Sequence, residues 1–201
     1  IVGNDYYYAP FNANFDVEEI DQVDVLNVFN GNSPSNDSGV LTGDRLTGFG
    51  LGGDTVISGR EIEGGIAFKS LEELNIELGT GNDTLIIEDT HAGKTTVKAG
   101  EGEDRIAVAN TSGTLNIGGD AGDDTLRIAT GDLSGSVADS EGRLETIMGH
   151  LLFDGGVGND RMTVDDRNDS SAEVGTLTED ALTGYGFGSI AEVQTLTVIG
   201  Q

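Results

Sequence analysis

Two hundred and one residues carry 36 acidic and 10 basic side chains, a formal charge of −26 that excludes duplex DNA and anionic membranes as electrostatic partners. Cysteine is absent, which removes disulfides, thiol catalysis, zinc thiolates and iron–sulfur clusters, and no apolar run approaches the roughly 18 residues of a membrane span. Glycine at 32 residues against 2 prolines points to turn chemistry and a thin core shared between layers, and not to collagen or a proline-rich linker.

The first segment, 1–23, stands outside every repeat described below. It has neither an initiator Met nor a basic stretch followed by an apolar leader, so a processed or excised piece is expected. Tyr6, Tyr7, Tyr8, Phe11 and Phe15 place five of the chain's eleven aromatics in this stretch. Stacked repeats need their open cores closed at the ends, and this segment is the candidate cap or assembly element.

Residues 24–52 match 160–188 without a gap at an offset of 136, with 13 of 29 positions identical, Leu41-Thr42 against Leu177-Thr178 among them. The match divides the chain into a supermodule, 24–159, and the start of a second, truncated one, 160–201. In the first copy the turn before Asp24 is degenerate, since Ile20-Asp21-Gln22 stands where Gly156-Val157-Gly158 stands in the second. About 14 residues around Asp54 to Ile66 have no counterpart in the later copy. Long corner loops are expected at 30–40 and 132–146. Gly200-Gln201 takes the place of Gly79-Thr80, which puts the next glycine turn just past the last residue.

From residue 79 a shorter pattern sets in, Gly-x-Gly-x-Asp followed by alternating apolar residues. Its clean copies are Gly79-Thr80-Gly81-Asn82-Asp83, Gly100-Glu101-Gly102-Glu103-Asp104 and Gly156-Val157-Gly158-Asn159-Asp160; Asp120-Ala121-Gly122-Asp123-Asp124 is a fourth with Asp for the first glycine. The aspartates at 83, 104, 124 and 160 are 21, 20 and 36 residues apart. Between the turns lie second strand-like runs, Thr95–Lys98 and Thr114–Ile117, entered through corners ending at Gly93 and Gly113. Strand, glycine corner, strand and acidic turn make one coil of a solenoid. Period-2 alternation puts Leu85 and Ile87, Ile106 and Val108, and Leu126 and Ile128 on one inward face, in rows from coil to coil.

Glycine at the first and third motif positions permits positive φ and close backbone approach, so that carbonyls can face an ion between coils, and the Asp supplies a carboxylate. Such oxygen-only ligands suit calcium better than a transition metal. Like carboxylates stacked at a strand spacing of about 4.8 Å repel unless cations intervene. The alternative is a metal-free turn in which Asp bonds to nearby backbone.

These turns resemble the RTX or haemolysin-type calcium-binding repeats of secreted bacterial proteins, whose nonapeptide builds a parallel β-roll; Gly155 to Thr163 fits that nonapeptide throughout. The resemblance covers about 79–164, with one motif per coil where the family has two, and implies calcium along one edge only. Carried over residue by residue, it implies carboxylate ligands at Asp83, Asp104, Asp124 and Asp160. Gly79, Gly81, Gly100, Gly102, Gly122, Gly156, Gly158 and the Asp120 position would complete the shells. Similar interleaved modules also occur in very large bacterial surface proteins.

Other features read as background. Asp165-Asp166-Arg167-Asn168-Asp169 and Glu88-Asp89 are read as solvated loops, and Glu61, Glu63, Glu72, Glu73 and Glu77 as solvent-facing strand residues. His91 and His150 lie 59 residues apart with no nucleophile or metalloprotease motif, so no enzyme is expected. The expected fold is all-β, a right-handed parallel β-solenoid with coils of about 20 residues and an N-terminal cap. The expected role is a calcium-stabilised structural or adhesive module, extracellular or on a cell surface, without nucleic-acid or membrane partners. Head-to-tail assembly into a filament and binding or cleavage of extracellular polysaccharide are the alternatives.

Overall fold

A computed structural model describes residues 22–129, 142–178, 181–184, 187–191 and 196–199, the last two stretches as backbone only. The aromatic cap, except Gln22 and Val23, lies outside the described residues, as do most of the 132–146 loop and the end at Gly200-Gln201. Every described regular element is a strand.

From β7 (Glu73–Gly79) onward the chain alternates between two sheets. In the first, β7, β9 (Lys94–Gly100), β11 (Thr114–Gly118) and β13 (Leu151–Asp154) pair in parallel. In the second, β8 (Thr84–Ile87), β10 (Arg105–Val108), β12 (Thr125–Ile128) and β14 (Arg161–Asp165) do the same. β1 (Val25–Phe29) extends the first sheet beside β7, while β2 (Ser38–Leu41) and β18 (Leu196–Ile199) extend the second beside β8 and β14.

The alternating apolar pattern produces this register, because a one-residue slip would turn every inward side chain outward. Ile76, Val97, Ile117 and Phe153 stand in one row. Opposite them, Leu85, Ile106, Leu126 and Met162 form a second row and Ile87, Val108, Ile128 and Val164 a third. All are buried in a single apolar cluster drawn from both sheets. Burying each such side chain contributes roughly 1.5–3 kcal/mol, so the rows between the sheets hold the stack together.

The arrangement is not the single parallel solenoid that the sequence suggests, since both sheets are mixed. β3 (Arg45–Gly48) runs antiparallel to β2, and β6 (Ile66–Ala67) antiparallel to β3. In the other sheet, β17 (Phe187–Ala191) joins β13 in parallel, then β16 (Ala181–Gly184) and β15 (Thr176–Leu177) follow antiparallel. The cause is local. After Leu41 the chain reverses within three residues, the Thr42 amide donating to the Arg45 carbonyl at 2.8 Å and its hydroxyl to Asp44 Oδ1 at 3.0 Å. In the second copy the Thr178 amide likewise donates to the Ala181 carbonyl at 2.8 Å. A parallel return needs a crossover of a dozen residues or more, and three residues allow only a hairpin.

The stretch without a later counterpart forms a third unit, β4 (Thr55–Ile57) antiparallel to β5 (Arg60–Ile62). Ser58 and Gly59 between them have φ of 53° and 77°, the signature of a tight two-residue turn. Both strands are exposed along their whole length.

Candidate functional site

The acidic turns lie where one sheet hands over to the other. They bring Asp83, Asp104, Asp124 and Asp160 into a row, each between 1% and 3% exposed. One oxygen of each carboxylate has a defined task. Asp83 Oδ1 accepts the Asp37 amide at 2.7 Å, Asp104 Oδ1 the Asp83 amide at 2.7 Å, Asp124 Oδ1 the Asp104 amide at 2.9 Å and Asp160 Oδ1 the Asp124 amide at 2.9 Å. Every aspartate therefore caps the backbone of the rung before it. The second oxygen, Oδ2, is buried in all four residues and has no hydrogen-bond partner among the described residues.

The charge of this row is strained. Burial pushes the Asp104 carboxyl up to about 7; its bond from Asp83 works the other way, and the charges of Asp124, Asp83 and Asp120 add to the rise. Asp124 is raised to about 6, first by burial, against the Asp104 amide and with help from Asp160, Asp120 and Asp123. Asp83 is raised as well, again chiefly by burial.

The glycines have a packing task. A Cβ on Gly102, Gly122 or Gly158 would collide with the carbonyl of Gly81, Gly102 or Gly122 on the preceding rung, and one on Gly100 or Gly156 with the carbonyl of Gly79 or Asp120. Gly102 and Gly122 in addition have φ of 123° and 137°, which other residues rarely adopt. Several of the carbonyls expected to face an ion are already used between rungs. Gly79 accepts the Glu101 amide at 3.2 Å, Gly100 the Ala121 amide at 2.9 Å and Asp120 the Val157 amide at 2.9 Å. The carboxylates thus offer a cation four unclaimed buried oxygens, while the carbonyls at 79, 100 and 120 are engaged elsewhere. Asp120 itself is exposed, with φ of 67°.

Three features were not read from the sequence. At the opposite corner, buried Thr90 Oγ1 accepts the amides of Ser112 and Gly113, both at 3.1 Å, and buried Thr111 Oγ1 accepts the Gly149 amide at 3.0 Å. This is a second column of side chains capping backbone, signalled only by Thr recurring shortly before the corner glycines. Asp165 is fully buried and held by Arg167, with Nε donating to Oδ1 at 2.9 Å and the terminal nitrogen to Oδ2 at 2.8 Å. Finally, Asp166, Asp169 and Glu173 each place one carboxylate oxygen within 4.8 Å of those of the other two, the one such acidic group among the described residues. The first two belong to the run read as a solvated loop.

His91 serves packing, its Nδ1 3.2 Å from Thr95 Oγ1 and its ring edge-on to Phe68 at 6.2 Å. No helix among the described residues is long and apolar enough to cross a membrane. No family model matches this chain, and neither does any curated protein or solved structure.

Proposed function

We propose that the chain is a non-enzymatic structural module of a secreted or cell-surface protein, stabilised by calcium along its row of buried aspartates. The observation that carries the reading is the unclaimed Oδ2 of Asp83, Asp104, Asp124 and Asp160. A buried acceptor without a partner costs about 1–3 kcal/mol, and more when charged, so the row is stable only with protons or cations on it. All-oxygen ligands select a hard cation such as calcium. The secreted setting rests on the resemblance of the glycine turns to calcium-binding repeats. Extracellular sites bind calcium at about 10⁻⁴ to 10⁻³ M, and a tenfold excess over such a Kd adds about 1.4 kcal/mol per site. Folding would then be weak in a low-calcium compartment and complete outside it.

Thermal melting of chelated protein during a calcium titration tests this. The melting temperature is expected to rise through millimolar calcium but not magnesium, and the rise to shrink in Asp104→Asn, which keeps the Oδ1 acceptor and removes a charge. Identical melting with and without calcium would eliminate the cation and leave the row to protons.

A further inference from the structure

The long repeat supplies an internal comparison for the acidic group at the end of β14. At the offset of 136, Asp166, Asp169 and Glu173 correspond to Asn30, Ser33 and Asp37. Both copies fold the segment in the same way. The Ser33 amide donates to the Asn30 carbonyl at 2.8 Å, and the Asp169 amide to the Asp166 carbonyl at 3.2 Å. Two residues on, the Ser35 amide donates to Ser33 Oγ at 3.3 Å, and the Ser171 amide to Asp169 Oδ1 at 2.7 Å.

What differs is the chemistry at the centre of the turn. In the first copy two neutral donors satisfy one carboxylate, Asn30 Nδ2 and Ser33 Oγ each donating to Asp37 Oδ2 at 2.9 Å. In the second copy all three side chains are acceptors. Asp166 Oδ1, Asp169 Oδ2 and Glu173 Oε2, one oxygen per residue, are buried and without a hydrogen-bond partner among the described residues. Asp166 is only 8% exposed. Glu145 adds a further negative charge to the surroundings of Asp166 and Glu173, and Arg143 faces Asp169 as the opposing cation. Replacing both donors by carboxylates, in a turn that keeps the same backbone bonds, leaves three acceptor oxygens close together with no donor among them.

We infer that Asp166, Asp169 and Glu173 form a binding site for a hard divalent cation, calcium by its chemistry, which replaces the hydrogen bonds that Asn30 and Ser33 supply in the first copy. An ion about 2.4 Å from two opposite oxygens separates them by at most about 4.8 Å, and the three oxygens of this group all lie within that limit of one another. The site is distinct from the aspartate row and does not depend on calcium being bound there.

Calorimetric titration of calcium chloride into the chelated full chain tests the site, beside a double variant, Asp166→Asn with Asp169→Ser, that writes the first copy's residues into the second. The wild-type chain is expected to bind one more calcium than the double variant. In chelator the variant is expected to melt higher than wild type, because its new donors satisfy Glu173. Glu173→Gln, which keeps the shape and removes one charge, is expected to weaken this site at least tenfold while Asp104→Asn leaves it unchanged. Equal stoichiometry and affinity in wild type and both site variants would overturn the inference. Should calcium still raise the melting temperature of all of them equally, the aspartate row would stand as the calcium site and this one would not.

Discussion

Asp104 divides its two oxygens between opposite demands, one on a backbone amide and one on nothing. Its pKa near 7, and those near 6 for Asp124 and Asp166, fix a sign for the response to pH. A carboxyl whose pKa rises on folding favours the folded chain while protonated. Its contribution is full below the unfolded value near 3.8 and is lost as the pH climbs through 6 to 7. Calcium-free protein is therefore expected to melt higher at pH 5 than at pH 7.5, with a slope of up to about 1.4 kcal/mol per pH unit for each such group. Saturating calcium favours the ionised form and is expected to flatten or reverse that slope. A melting temperature rising between pH 5 and 7.5 in chelator would show that these carboxyls are not held in a low-polarity setting.

Among the elements, the exposed hairpin β4–β5 makes a test of what is dispensable. It is anchored at its base, where the Gly64 amide donates to Asp54 Oδ1 at 2.8 Å and the Gly65 amide to the Gly52 carbonyl at 2.9 Å. Replacing residues 55–62 by a two-residue glycine link is expected to move the melting temperature by less than about 4 °C, since roughly 1 kcal/mol corresponds to 2–4 °C in a chain of this length. A drop of 10 °C or more would give the hairpin a structural task. The strands of the stack were legible because period-2 alternation and the spacings of 21 and 20 residues between Asp83, Asp104 and Asp124 are direct products of rung geometry. The reversal after Leu41 was not legible. Thr42 to Asp44 look like any polar break, and only the Thr42 bonds decide between a crossover and a hairpin. The position of the aspartates could be read, but not the backbone amides that occupy Oδ1. The group around Asp166 escaped because Glu173 lies seven residues on, and its equivalence to Asp37 is chemical only once the bonds from Asn30 and Ser33 are seen.

Across the chain the charge of −26 opposes any compact state. With calcium removed, raising sodium chloride from 10 to 150 mM shortens the screening length from about 30 to about 8 Å and is expected to raise the melting temperature. Millimolar calcium is expected to raise it further at matched ionic strength, because buried oxygens are screened little by monovalent salt. No effect of sodium chloride would mean that repulsion between surface charges is a minor term. The aspartate row also has a direction. The amides of Asp37, Asp83, Asp104 and Asp124 are each capped by a carboxylate that comes later in the chain, 46, 21, 20 and 36 residues downstream. On a ribosome, the earlier rung thus emerges with its amide bare and waits for the next aspartate to clear the exit before it closes. A nick between two rungs separates the same pair, leaving a donor on the upstream fragment and its acceptor on the downstream one.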